Sequence, residues 1–289
     1  MTADFWEDVS TTWAEAEQLG DQPDPSANAS VELRKVRFGR TDNPIAITGQ
    51  PGAGKTVLYD SIVNRIGPDY RPPGQSHNRE KHRTLVRTGA TSQRSSVIVV
   101  PGQRSNNQAA AFDELLATGS GPVGIIHTVC WGYNTPWNAG NRATMLDEIT
   151  ASGEPLDDAS VRAWHLAGEL ADFRVLAEKL AISGALERLR WLIVAVGKCD
   201  LFWSEIAAAR EYYIPVPGHP TADSPFGEVL RGLTADGKKR RVRLAVVPIS
   251  SYSKDHDFGV GLAKQRHQFD AAQAAAVRNQ FFTVLGRFL

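Results

Sequence analysis

The chain has 289 residues, of which 42% are hydrophobic, and its 32 Lys and Arg balance its 32 Asp and Glu. That apolar content supports a sizeable core and argues against disorder, while zero net charge argues against a surface given over to nucleic acid or membrane lipid. Cys130 and Cys199 are its two cysteines; both lie in or beside apolar runs and read as small buried hydrophobes in a reducing compartment.

No stretch reaches the ~18 uninterrupted apolar residues of a membrane helix. The acidic start, residues 1 to 8, lacks a signal-peptide core. No membrane span and a cytoplasmic location are therefore expected.

In chain order, residues 4–19 suit an amphipathic helix carrying Phe5, Trp6, Val9, Trp13 and Leu19, and 21–28 read as a Pro/Asp/Ser-rich linker. Residues 31–38 carry partial alternation and predict a strand, expected beside the next one. That next strand is Ile45-Ala46-Ile47-Thr48. It runs into Gly49-Gln50-Pro51-Gly52-Ala53-Gly54-Lys55-Thr56, a full G-x-x-x-x-G-K-[ST] match. Apolar residues at helical spacing follow over 57–66. Strand, glycine-rich turn and helix form the context in which this motif binds phosphate. Gly49, Gly52 and Gly54 let backbone N–H groups converge on anionic oxygens. The helix start adds its free N–H groups. Lys55 would charge-pair with the β- and γ-phosphates, and the Thr56 hydroxyl would meet Mg²⁺.

A polar segment, 67–81, comes next and is long enough to be functional. Two strand-like runs, 82–88 and 95–100, predict an antiparallel hairpin that ends at Pro101-Gly102-Gln103. A helix is expected over 107–117, a strand over 123–130 and a loop-rich insertion over 134–156. Apolar steps of three and four predict a long helical tract over 157–189, with Ser183-Gly184 as an interruption. Residues 191–196 are the clearest buried strand. A helix over 202–213, a proline-rich loop, a short helix near 226–233, a strand over 243–249 and a helix over 266–289 complete the chain. Strands alternating with helices imply an α/β doubly wound sheet.

The strand at 191–196 leads into Gly197-Lys198-Cys199-Asp200-Leu201. Ligands of α/β sheets bind at the carboxyl ends of strands. There a carboxylate at Asp200 can accept from both the ring N–H and the exocyclic amino group of guanine, a donor pair adenine lacks. The Lys198 stem can lie over the base, and Ser250-Ser251, after the last strand, can offer N–H groups to the guanine carbonyl.

Taken in this order, the motifs resemble the phosphate-loop GTPases of the translation-factor and Ras-like class, with this chain as a divergent member of bacterial type. The resemblance covers residues 43 to 289. It implies a mostly parallel sheet with one antiparallel hairpin, in a domain over 31–289 preceded by a helix and linker over 1–30. It implies GTP or GDP with Mg²⁺ as ligands, GTP hydrolysis in a molecular switch, and a protein effector as partner rather than nucleic acid; the hydrolysis is expected to be slow because Val99 replaces a family aspartate. The nucleotide would touch Gly49 to Thr56, Val57, Gly102, Lys198, Asp200, Leu201, Ser250 and Ser251. Gln103 would position the attacking water, with Lys55 as the second catalytic group.

The sequence departs from the family twice. Gly197 stands where Asn or Thr is usual, removing one brace on the phosphate loop. Val99 stands where an aspartate supports Mg²⁺. The switch threonine has no assignment among Ser76, Thr84 and Thr88. Two other readings stay open: a nucleotide-binding module with little or no hydrolysis, and a phosphate-loop ATPase or kinase. The histidines show no metal-ligand spacing. His127 reads as a packed strand residue, Trp137 as a residue exposed for a partner, and the basic run 238–243 as a solvated surface.

Overall fold

In a computed structural model the described residues are 3–24, 31–35, 43–73, 80–88, 91–101, 116, 122–136, 138–235 and 242–289. The apolar runs form a mixed α/β sheet. Its strands are β1 (Val31–Lys35), β2 (Asn43–Gly49), β3 (Glu80–Thr88), β4 (Thr91–Val99), β5 (Gly124–Val129), β6 (Trp191–Gly197) and β7 (Arg243–Ile249). Their spatial order is β1-β3-β4-β2-β5-β6-β7. The five strands from β4 to β7 are mutually parallel. β3 lies antiparallel to β4, with Glu80 opposite Val99.

The expectation that β1 sits beside β2 is corrected. β4 and β5 occupy both edges of β2. β1 therefore pairs at the outer edge with β3, Val31 opposite Thr88.

Residues alternate across the sheet, as the pleat requires. Ile45 and Ile47 of β2 face one apolar cluster and Ala46 the other. Likewise Trp191, Ile193 and Ala195 of β6 face one side, and Leu192, Val194 and Val196 the opposite one. The first face is covered by α2 (Lys55–Ile62), through Leu58, Tyr59 and Ile62, and by the last helix, Ala271–Phe288, through Phe281, Val284 and Leu285. The other is covered by α1 (Ala3–Asp21), which buries Trp6, Val9 and Trp13 at helical spacing, and by the helices between β5 and β7.

The region expected as a loop-rich insertion contains α3 (Ala139–Ser152). Asn138 caps its start, accepting from Asn141 N, and Gly153 ends it at φ 76°. It buries only Met145 and Ile149, so its periodicity is faint. α4 (Asp158–Ile182) starts with a reciprocal cap between Asp157 and Ser160 and stops at Ser183-Gly184, as expected. The helix expected over 202–213 is shorter: α5 spans Ile206–Tyr213, after two single 3₁₀ turns. α6 is Pro225–Ala235. The last helix, α7, starts at Ala271 behind the Asp270 cap rather than at 266. Residues just before it serve elsewhere: Gln268 N donates to Asp200 O at 2.7 Å. α2 ends four residues early, where Asn64 takes φ 53°. Of the helix expected over 107–117, only Leu116 lies within the described residues; it is helical and buried.

Among the described residues no helix is long and apolar enough to cross a membrane. Both cysteines are free and buried, as the sequence suggests.

Candidate functional site

All parallel strands end on one edge of the sheet. From β2 the chain goes to one side, through β3 and β4, and then crosses to β5 on the other. Such a reversal opens a crevice outside the carboxyl ends of the strands. The glycine-rich loop 49–56 sits there.

Gly49 and Gly52 occupy the left-handed region at φ 134° and 76°. Both also lie against backbone: a Cβ on Gly49 would meet Thr128 O at 2.2 Å, and one on Gly52 would meet Thr135 O at 2.2 Å. No other residue fits either position without moving a neighbouring strand or loop. Lys55 is buried, and its Nζ donates to Gly49 O at 2.7 Å and Gln50 O at 3.0 Å. Burial lowers its pKa to about 8, against the opposing charges of Asp172 and Cys130. A buried ammonium held by neutral carbonyls is poised for an anionic partner. Thr56 follows in the first turn of α2, half-buried.

A second segment, 130–135, follows β5 and was not singled out from sequence. Trp131 and Gly132 both take positive φ. Glu169 of α4, fully buried, holds the turn: its carboxylate accepts from Cys130 N at 2.9 Å, Gly132 N at 3.3 Å and Tyr213 Oη at 2.6 Å. Burial raises the Glu169 pKa, and the Tyr213 bond opposes the rise. The far end of the segment reaches the glycine-rich loop. Asn134 Nδ2 donates to Pro51 O at 3.2 Å, and Thr135 N to Gly52 O at 3.3 Å.

Lys198 joins the same junction. It leaves β6 at φ 56°, and its Nζ donates to Gly52 O at 3.0 Å, Tyr133 O at 2.5 Å and Thr135 Oγ1 at 3.1 Å. Burial lowers its pKa. Asp200, two residues on, is 1% exposed. Burial raises its pKa to about 6, with a bond from Ser250 opposing. Its Oδ1 has no partner among the described residues. A buried carboxylate oxygen without a donor is costly unless a ligand supplies one. Ser250 is buried against Ser253 Oγ at 3.0 Å.

These groups border one cavity of about 430 Å³. Gly52, Ala53, Gly54 and Val57 line it together with Lys198, Asp200, Leu201 and Ser251. Thr128, Thr135, Pro72, Tyr252 and His256 are also in its walls without a role in the sequence reading, and Leu58, Gly197, Ile249, Lys254, Asp255, Asp257 and Lys264 complete them. Thr128 Oγ1 and His256 Nε2 are likewise buried without partners among the described residues. Tyr252 reaches Tyr70, ring against ring at 5.3 Å, and so ties the segment after β7 to the one after α2. Gly49, Gln50, Pro51, Lys55, Thr56 and Ser250 stand behind or beside the lining rather than in it.

Val99 ends β4 at 3% exposure, packed with Leu58, Tyr59 and Ile47. Thr84 and Thr88 of β3 pair with Ser95 and Thr91. They lie four and eight residues back from the carboxyl edge where Glu80 meets Val99, too far to serve a ligand there. Ser76, Gly102, Gln103, Trp137 and most of the basic run, 238–241, lie outside the described residues. No group of three or more His, Cys, Asp or Glu among the described residues would hold a metal by itself. His127 is a core residue: fully buried, 3.0 Å from Thr48 Oγ1 through Nδ1, with burial lowering its pKa to about 3.

Compared with protein-family models and with curated proteins, the chain matches none.

Proposed function

We propose that this chain binds a guanosine nucleotide in the cavity at the carboxyl edge of the sheet, as a phosphate-loop GTPase of the Ras-like kind with slow intrinsic hydrolysis. One observation carries the reading. A single 430 Å³ cavity is bordered both by the glycine-rich turn and by the buried Asp200, whose Oδ1 lacks a donor. Its volume falls within the range of small-molecule sites. A nucleotide supplies what the two regions lack: anionic oxygens for the loop N–H groups and Lys55, and a pair of N–H donors for Asp200.

Each residue then has a task. Lys55 exchanges the carbonyls of Gly49 and Gln50 for phosphate oxygens. Asp200 accepts from the guanine edge and rejects adenine, whose ring nitrogen would face it as an acceptor. Lys198 keeps Gly52 and Thr135 together beneath the nucleotide. Gln103 orients the water that attacks the terminal phosphate.

The residues at hand fit a magnesium ion held mainly by the nucleotide's own phosphates and by water, with the Thr56 hydroxyl as the protein contribution. Bound there, the ion would neutralise charge developing on the phosphate oxygens. Buried Val99 offers it nothing, which favours slow turnover and gives weight to a switch or a nucleotide-binding module over a fast enzyme.

The test is a Lys55→Ala variant beside wild type, with GTP affinity and single-turnover phosphate release measured on folded protein. Losing one charge-assisted contact weakens GTP by about 1.5–3 kcal/mol, or roughly ten- to hundredfold. Gln103→Ala lowers phosphate release while leaving GTP affinity nearly unchanged. Unchanged GTP affinity in folded Lys55→Ala protein contradicts the reading.

A further inference from the structure

Resting on the nucleotide reading above, we propose that Asn134 is a positioning residue for the glycine-rich loop, supplying the brace that Gly197 leaves out. A peptide carbonyl and the N–H beside it point in opposite directions. Holding the loop carbonyls outward is therefore what aims the N–H groups inward at an anion. Five groups hold the carbonyls of residues 49–52: Lys55 on Gly49 and Gln50, Ala53 N on Gln50, Asn134 on Pro51, and Lys198 and Thr135 N on Gly52. Lys55 must release its carbonyls to reach a phosphate. The bonds that do not involve Lys55 are those of Ala53 N on Gln50, Asn134 on Pro51, and Lys198 and Thr135 N on Gly52, and Asn134 alone holds Pro51 among the described contacts.

Gly197 shows why the brace comes from elsewhere. Its backbone is not in the left-handed region, so no conformational need fixes glycine there. A Cβ at 197 would sit 3.4 Å from Val129 O and 3.6 Å from Ala53 O, in ordinary contact. An asparagine amide nitrogen, two bonds beyond that Cβ, has the length to turn onto the Ala53 carbonyl. The chain has no side chain there, and the carbonyl two residues earlier, Pro51 O, is instead caught by an amide from the segment after β5.

Asn134 is built for this. It is fully buried, on a segment held by Glu169 through Cys130 N and Gly132 N. Its amide orientation is set by chemistry, since a flip would place Oδ1 against Pro51 O, acceptor facing acceptor. Nothing in the spacing of the sequence marks it, because it lies 83 residues from its partner.

The experiment measures dissociation of a fluorescent GDP from wild type, Asn134→Ala, Gly197→Asn and the double variant, with melting temperatures of the nucleotide-free proteins. Loss of one brace speeds release about three- to tenfold in Asn134→Ala. Gly197→Asn adds a contact to Ala53 O, slows release by itself, and returns the double variant toward the wild-type rate. A purely packing role would lower the melting temperature and would not be rescued from position 197. Wild-type release in folded Asn134→Ala, or an unrescued double variant, overturns the proposal while leaving the nucleotide reading intact. If Asn134→Ala does not fold, Gly197→Asn decides: an unchanged rate overturns it. A wild type that binds no GDP removes both.

Discussion

Asp200 is held at a cost to the fold that the proposed nucleotide would offset. Its carboxyl titrates near 6 when folded because burial disfavours the charge. In the unfolded chain the same group titrates near 3.8. The folded state thus holds the proton more tightly. The associated stability is present in full below about pH 4 and is lost as pH rises through 6. Asp200→Asn cannot ionise. It should stabilise the nucleotide-free protein above pH 6 by up to ~2–3 kcal/mol, less whatever the Ser250 bond contributes, and so raise its melting temperature, with the gain vanishing near pH 4. The same variant should turn nucleotide preference from guanine toward xanthine, whose carbonyl can accept from the new amide. Melting curves across pH 4–8 check the first outcome and competition binding the second. Val99 is the opposite case. Read from sequence, it is a gap in a magnesium site, to be filled by aspartate. Its 3% exposure among Ile47, Leu58 and Tyr59 means that Val99→Asp would bury an unpaired carboxylate. We expect a lower melting temperature, by several kcal/mol of lost stability, before any gain in Mg²⁺ affinity.

At the scale of elements, α1 lies on the sheet as part of the core rather than beside it. Trp6 and Trp13 are among the largest fully buried side chains, and Arg231 of α6 covers the Trp6 ring at 5.2 Å. Trp13→Ala should cost about 3–5 kcal/mol of unfolding free energy, measurable by denaturant titration; a cost under ~1 kcal/mol would mean that α1 is only loosely attached. The legibility of elements followed burial. β6 reads as a strand because all seven of its residues are buried, and α4 reads as a helix because its apolar residues step by three or four, with Val161, Phe173, Leu176 and Leu180 buried, while the buried His165, Glu169 and Asp172 are invisible to that pattern. α3 escaped because Met145 and Ile149 are its only buried residues. Its Asn138 cap and terminal Gly153 were the signals that could have found it. The starts of α5 and α7 were misplaced where short-range pattern yields to a tertiary bond, as at Gln268, which is committed to Asp200 and Leu201.

For the whole molecule, the residues legible in the sequence are those whose chemistry is local: the glycine turn, the lysine that closes it, and the Lys-x-Asp after a buried strand. The parallel sheet brings them to one edge, and one cavity touches both groups. What sequence could not give is what folding brings from far away. The segment 130–135 meets the glycine-rich loop across some 80 residues, and Tyr252 meets Tyr70 across 182. No periodicity or motif encodes such pairings. The central claim is that the cavity reads guanine through Asp200, and comparing GDP with ADP affinity by calorimetry tests it most directly. Two hydrogen bonds to an ionised carboxylate, at ~1.5 kcal/mol or more each, predict GDP binding at least about a hundredfold tighter than ADP, with the preference lost in Asp200→Asn. Equal affinity for GDP and ADP would contradict the account and leave Lys198-Cys199-Asp200 as a structural turn at the end of β6.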